Sequence, residues 1–122
     1  MAAPNIRNPS IITGKTDVNP NISTSATTIL TNTSNSGKVF KINSIFAANT
    51  NGSVSSTISI SISDGGTDTY LAKTIIVPAD ATQIISTKET YFYLEEGWSI
   101  KAQAGNTFSI DVIISYEEIS NV

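Results

Sequence analysis

A period-two alternation of apolar and polar residues runs through most of the chain. It is clearest in Ser53–Ser63, where Val54, Ile58, Ile60 and Ile62 alternate with serine and threonine. An alternation of this length predicts a β-strand with one buried face and one solvated face. It also favours an antiparallel sheet, because parallel strands are usually apolar on both faces.

Turn-forming residues divide the chain from residue 26 onward into eight such segments, and none of them has the period of a helix. In the second segment, the alternation predicts Phe40, Ile42 and Phe46 on one face and Ile45 on the other. The eight predicted strands are Ala26–Thr31, Lys38–Ala48, Ser53–Ser63, Thr69–Val77, Thr82–Thr87, Tyr91–Leu94, Trp98–Ala104 and Thr107–Tyr116.

Short strands that recur with turns between them are typical of a β-sandwich or a small barrel. We therefore predict an all-β chain with a single antiparallel β-sandwich of about eight strands over residues 26–122. Eight strands fit a jelly roll, and an immunoglobulin-like sandwich with an extra strand is the alternative. The alternation leaves the order of the strands open.

Residues 1–25 differ from the rest, since they are polar and are interrupted by Pro4, Pro9 and Pro20. They are predicted to form an extended N-terminal arm. A frayed terminus is the simple interpretation, but a solvated tail rarely carries several isoleucines. We expect the arm to dock on a neighbouring subunit through Ile6, Arg7, Ile11, Ile12 and Ile22.

Composition excludes several classes of function. The 122 residues suit one domain, and 19 isoleucines against 3 leucines favour strands over helices. With no Cys and no His, the chain has no thiol nucleophile, disulfide, imidazole base or thiolate metal site. Arg7 is the only arginine and the net charge is −3, which argues against nucleic-acid binding. No apolar run is long enough to predict a membrane span.

Two acidic pairs and one acidic loop are the remaining candidates for chemistry. Glu95–Glu96 and Glu117–Glu118 are interpreted as solvated charges at strand ends, because neighbours in sequence do not face each other across a cleft. Asp64–Asp68 has too few oxygen ligands for calcium and is interpreted as a tight turn. We predict no enzyme, no catalytic residue, no cofactor and no metal site.

Four aromatic residues cluster late in the chain, at Tyr91, Phe92, Tyr93 and Trp98. Aromatic side chains on an exposed sheet face can stack on sugar rings, and they can equally form core or subunit interface. Since three consecutive residues of a strand cannot share one face, at least one of them points outward. Core or protein interface is favoured over sugar binding.

The chain also resembles the small β-domain virion proteins of marine tailed bacteriophages, including those that infect cyanobacteria. The likeness extends over most of residues 12–119 and consists of strand-and-turn segments rather than functional motifs. These segments are Ile12–Thr16, Ser36–Ser44, Ala72–Asp80, Tyr93–Gly97 and Ser115–Ile119.

The resemblance implies a structural role in a virus particle that is assembled in the host cytoplasm. This agrees with Met1–Asn5, which lacks the pattern of a secretory signal. We expect a head decoration or cement protein that forms a homo-oligomer, for example a trimer, and binds virion proteins such as the major capsid protein. A tail, neck or fibre component is the first alternative. A carbohydrate-binding module built on Trp98 and the tyrosines is the second.

Overall fold

Two antiparallel β-sheets form the protein, as expected for a chain rich in isoleucine and threonine. The computed structural model describes residues 10–106 and 109–120. No helix in these two ranges is long and apolar enough to cross a bilayer. The strands are β1 (Ile11–Asn19), β2 (Thr27–Thr31), β3 (Lys38–Asn49), β4 (Ser56–Ser63), β5 (Asp68–Val77), β6 (Thr82–Ser86), β7 (Phe92–Leu94), β8 (Ser99–Ala104) and β9 (Ile110–Ser120), with a 3-10 helix at Lys88–Thr90.

The strand order is that of a jelly roll. The first sheet has the order β1-β9-β3-β6, with β7 also paired to β3, and the second has the order β2-β8-β4-β5. The pairs β1–β9, β2–β8, β3–β6 and β4–β5 are therefore nested, which is how two Greek keys wrap into one sandwich. The predicted all-β sandwich is confirmed, and the order does not match the immunoglobulin-like alternative.

Alternating residues of both sheets meet in one aliphatic core. Ile58 and Ile60 of β4 have no exposed surface, and neither do Val112 and Ile114 of β9. Burying one such side chain contributes roughly 1.5–3 kcal/mol. The alternation predicted for Ser53–Ser63 is present around Ile58 and Ile60, whereas Ser61 and Ser63 are buried as well and Val54 lies exposed before β4.

A β-bulge in β3 reverses part of the predicted pattern. The pairing of β3 with β9 shifts between Ile42 and Ser44, so that Asn43 is an extra residue in β3. Beyond the bulge the two faces exchange. Ile45 is completely buried, whereas Phe46 points out of the sandwich. The prediction that Phe46 shares the face of Phe40 and Ile42 is therefore wrong.

Two buried asparagines form hydrogen bonds to the loops that follow β2 and β3. The Nδ2 of Asn32 donates to the carbonyls of Lys38 and Leu94, at 2.9 and 3.0 Å. The Nδ2 of Asn49 donates to the carbonyls of Val54 and Val77, both at 3.0 Å. These amides thus provide partners for four backbone carbonyls that do not all belong to the sheet ladders.

The segment predicted as an irregular arm contains a regular strand. β1 pairs with β9 along its whole length, from Ile11 opposite Ser120 to Asn19 opposite Val112. The described part of residues 1–25 therefore belongs to the sandwich up to Asn19. The docking of this segment on a neighbouring subunit stays a prediction.

Candidate interaction surfaces

The edge strand β1 is a candidate docking surface, because none of its nine residues is buried. It is the end strand of the first sheet, so no described strand lies beyond it. Ile11 and Ile12 are 47% and 55% exposed at its N-terminal end. An edge strand with open backbone groups and exposed isoleucines is well suited to pairing with another chain.

The predicted docking residues do not form one group. Ile11 and Ile12 lie on β1, while Ile6 and Arg7 lie outside the described residues. Ile22 is only 4% exposed and belongs to the core of its own domain. Its backbone N–H donates to the carbonyl of Ile110 at 2.8 Å, which holds it against β9. Ile22 is therefore a core residue, and the prediction that it docks on a neighbour needs correction.

The acidic pair Glu117–Glu118 is engaged in contacts within the first sheet. Glu118 accepts from Lys15 of β1 and from Lys38 of β3, each at 3.1 Å. Burial opposes ionisation of Glu118, but the hydrogen bonds from these two ammonium groups outweigh it and lower the pKa of its carboxyl. Glu117 accepts from the amide of Asn43 at 3.1 Å. The pair thus connects three strands.

The other acidic candidates are also explained by local structure. Glu96 accepts from the backbone N–H of Gly37. Asp64 accepts from the backbone N–H groups of Thr67 and Gly66, at 2.9 and 3.0 Å, and these bonds lower its pKa. This is a tight Asx turn. Throughout residues 10–106 and 109–120, no three acidic side chains come together as metal ligands would.

The late aromatic cluster divides between the core and the surface. Phe92 and Trp98 pack against the core cluster. Tyr91 and Tyr93 form an edge-to-face pair with centroids 5.7 Å apart, and the Lys41 ammonium lies 4.5 Å from the centre of the Tyr91 ring. Trp98 is thus partly buried, whereas Tyr91 is 46% exposed.

Tyr70 stands beside an open polar hollow on the outer face of the second sheet. Tyr70 is 49% exposed, and the hollow has a volume of about 370 Å³. The Lys73 ammonium lies 4.9 Å from the centre of the Tyr70 ring. Hydroxyl and amide side chains, including Thr57, Ser59 and Gln103, complete the lining.

A second apolar surface lies where the edge strands β5 and β6 leave the side of the sandwich open. Leu71, Ile75 and Ile85 line a hollow of about 210 Å³ there, next to another lined by Ile62 and Phe92. Leu71 is 39% exposed. Leu71 thus lies beside an open apolar hollow between β5 and β6.

Fold and surface define a jelly-roll domain with aliphatic edges. No protein-family model and no curated protein sequence matches the chain. A solved structure, of a pentameric capsid protein isolated from metagenomic phage sequences, is similar to it with 18% identity and a TM-score of 0.37. The likeness covers 85% of this chain and 60% of that protein, so the chain spans less than two thirds of its length.

Proposed function

We propose that the chain is a non-enzymatic structural protein of a tailed-phage particle, and specifically a decoration or cement protein on the outside of the head. The observation that carries this proposal is β1, an edge strand with no buried side chain and with exposed Ile11 and Ile12. β1 is held to the domain mainly by its backbone hydrogen bonds to β9, so a neighbouring subunit that covers it would stabilise it further.

The fold supports an assembly role. Jelly rolls serve as viral capsid domains and as lectin domains, among other uses. The acidic groups described above connect strands or close turns, and the chain has no Cys and no His. In the proposed assembly, Ile6, Arg7, Ile11 and Ile12 bind the adjacent subunit, which is a second copy or the major capsid protein.

The test is a protein inventory of purified particles whose heads and tails have been separated. Mass spectrometry should find the chain in the head fraction, at a copy number on the order of hundreds, because a shell repeats each contact by symmetry. Its presence in the tail fraction at about a dozen copies or fewer would instead support a tail, neck or fibre component. Its absence from both fractions would overturn the virion role.

A matched pair of variants tests the role of β1 in the same particles. Ile12→Asp places a charge on the exposed end of β1, and Ile76→Asp places one on the equally accessible edge strand β5. We expect Ile12→Asp to reduce the amount of chain bound to heads about tenfold or more, and Ile76→Asp to leave it unchanged. Equal binding by both variants would contradict the docking role of β1.

Carbohydrate binding is a second candidate, and the observation that favours it is the hollow beside Tyr70. Hydroxyl and amide groups next to an exposed ring are the groups that recognise sugars. Titration with polysaccharides, followed by tyrosine and tryptophan fluorescence, tests it against the variant Tyr70→Ala. A spectral change in the wild type that the variant loses would favour this candidate, and no change would remove it.

A further inference from the structure

Four apolar side chains form a continuous row across the outer face of the first sheet. Val18 of β1 lies directly opposite Ile113 of β9. Ile113 lies opposite Phe46 of β3, and Phe46 lies opposite Ile84 of β6. Directly opposite residues of antiparallel strands share a face and are in side-chain contact distance. The row therefore crosses all four strands of the sheet order. We call it the outer apolar row.

The row does not belong to the core. Ile113 is 36% exposed although its neighbours Val112 and Ile114 are completely buried, so its side chain points away from the sandwich. Val18 and Ile84, at the two ends, are 63% and 51% exposed. Phe46 reaches this face only because the bulge at Asn43 reverses the faces of β3.

Short side chains flank the outer apolar row on both sides. Thr16, Ser115 and Ser44 are paired in register on one side. Ala48, opposite Asp111, lies on the other. Apolar side chains exposed on such a face are what a protein interface provides.

Charge on this face is sparse, and the carboxylate beside the row is hydrogen-bonded. The carboxylate of Asp111 accepts from the backbone N–H of Asn21 at 2.9 Å. Nearer the other end of β9, Lys41 of β3 is directly opposite Glu117, so these two charges have opposite sign. A face with balanced charge can meet a copy of itself without like-charge repulsion, as a twofold interface requires.

We propose that the outer apolar row is the surface through which two copies of this chain bind each other face to face. A twofold axis in the plane of the interface lays the two rows along each other. With the axis parallel to the strands, Val18 of one copy meets Ile84 of the other, Ile113 meets Phe46, and Asp111 meets the small Ala48. The inference rests on the proposed structural function for its biological purpose, but it concerns a surface distinct from the exposed isoleucines at the end of β1.

The face is smaller than a standard interface between stable partners. The four strands are separated by three gaps, which make the contact roughly 20 Å wide. One residue pair on either side of the row makes it roughly 20 Å high, so each copy contributes about 400 Å². A standard stable interface buries about 800 Å² per partner. The dimer should therefore be weak, with a dissociation constant in the micromolar range, which suits a subunit whose contacts are multiplied in an assembly.

Sedimentation equilibrium of the full chain, from about 5 to 500 µM, brackets this affinity. Ile84→Lys places an ammonium group on the row, and Ile76→Lys is its matched control, an isoleucine of similar exposure on the edge strand of the other sheet. We expect a monomer–dimer equilibrium whose dissociation constant rises at least about tenfold in Ile84→Lys and is unchanged in Ile76→Lys. A wild type that stays monomeric, or two variants that behave alike, would overturn the proposal.

A second measurement does not depend on a charged substitution, and it uses the absence of cysteine from the chain. Ile113→Cys, labelled with pyrene, places the probe near the proposed axis, and Ile76→Cys is the control. Excimer emission that grows with concentration in the first variant alone supports the proposal. Emission in neither, or only in the control, contradicts it. These results are independent of where the chain lies in a particle, so the failure of this inference is distinguishable from the failure of the proposed function.

Discussion

The ammonium group of Lys15 lies 3.1 Å from Oε2 of Glu118 and ties the edge strand β1 to β9. On the other side of β9, Oε1 of the same carboxylate accepts from Lys38 of β3. One carboxylate thus connects three neighbouring strands of the first sheet. Since no side chain of β1 is buried, this contact and the backbone ladder hold that strand to the domain.

Acidification should weaken this connection. The pKa of Glu118 is lowered in the folded chain, so its contribution to stability is complete above the unfolded pKa and is lost as the pH falls through the folded value. Glu118→Gln should therefore lower the free energy of unfolding by about 0.5–1 kcal/mol at pH 7, and this difference should shrink below about pH 4.5. Urea unfolding at several pH values measures it. Glu89→Gln, at an exposed site, serves as the control, and the same loss at pH 3 as at pH 7 would contradict the assignment.

Ile22 and Ile12 should respond differently to truncation, although both were expected to dock on a neighbour. Ile22→Ala removes buried side-chain volume from the core and should cost about 2–4 kcal/mol of stability. Ile12→Ala changes an exposed position and should stay within about 0.5 kcal/mol. Chemical denaturation of the two variants checks this. Equal losses would mean that Ile22 is not part of the core.

Asn32 should be among the most sensitive polar positions in the chain. Its side chain donates to two carbonyls and accepts from the hydroxyl of Ser36 at 2.6 Å. Asn32→Ala leaves these groups without partners in a buried place and should cost about 2–4 kcal/mol. Asn19→Ala, which removes an amide that donates to Asp17, should cost less than about 1 kcal/mol. Thermal unfolding by circular dichroism compares the two, and a tolerated Asn32→Ala would refute the role of this amide.

The alternation of apolar and polar residues predicts strands well where one face of the strand is buried. β4 follows this rule, and so does β9, where Ile110 and Ile114 are buried as predicted. β1 gives no such signal, because a strand exposed on both faces has no apolar period. β9 extends beyond its predicted end at Tyr116, because Glu117 and Glu118 lie within the strand and are held by contacts to β1 and β3.

Features that depend on distant parts of the chain were not predictable from local pattern. The burial of Asn32 and Asn49 results from loops that meet in space, and the sequence shows only two turn-forming residues. The outer apolar row is similar, because it requires the register of four strands and the bulge at Asn43. A prediction that lacks the bulge assigns Phe46 to the core and therefore omits it from the outer apolar row.

The exchange of faces in β3 gives the last prediction. Ile45→Ala should cost about 2–4 kcal/mol, because the side chain is completely buried. Phe46→Ala removes a larger side chain but should cost less than about 1 kcal/mol in the monomer, since Phe46 lies on the outer face. It should instead weaken the proposed pairing of two copies. Unfolding in urea at a concentration well below the dissociation constant separates the two effects.

A larger loss of stability in Phe46→Ala than in Ile45→Ala would contradict this assignment. It would indicate the register expected from uninterrupted alternation, with Phe46 in the core and Ile45 outside. It would then remove Phe46 from the outer apolar row. A variant without the extra residue, with Asn43 deleted, adds an independent check. Deletion forces Phe46 inward and Ile45 outward along the rest of β3, so it should destabilise the domain more than either truncation. A deletion variant as stable as the wild type would show that the bulge does not set the faces of β3.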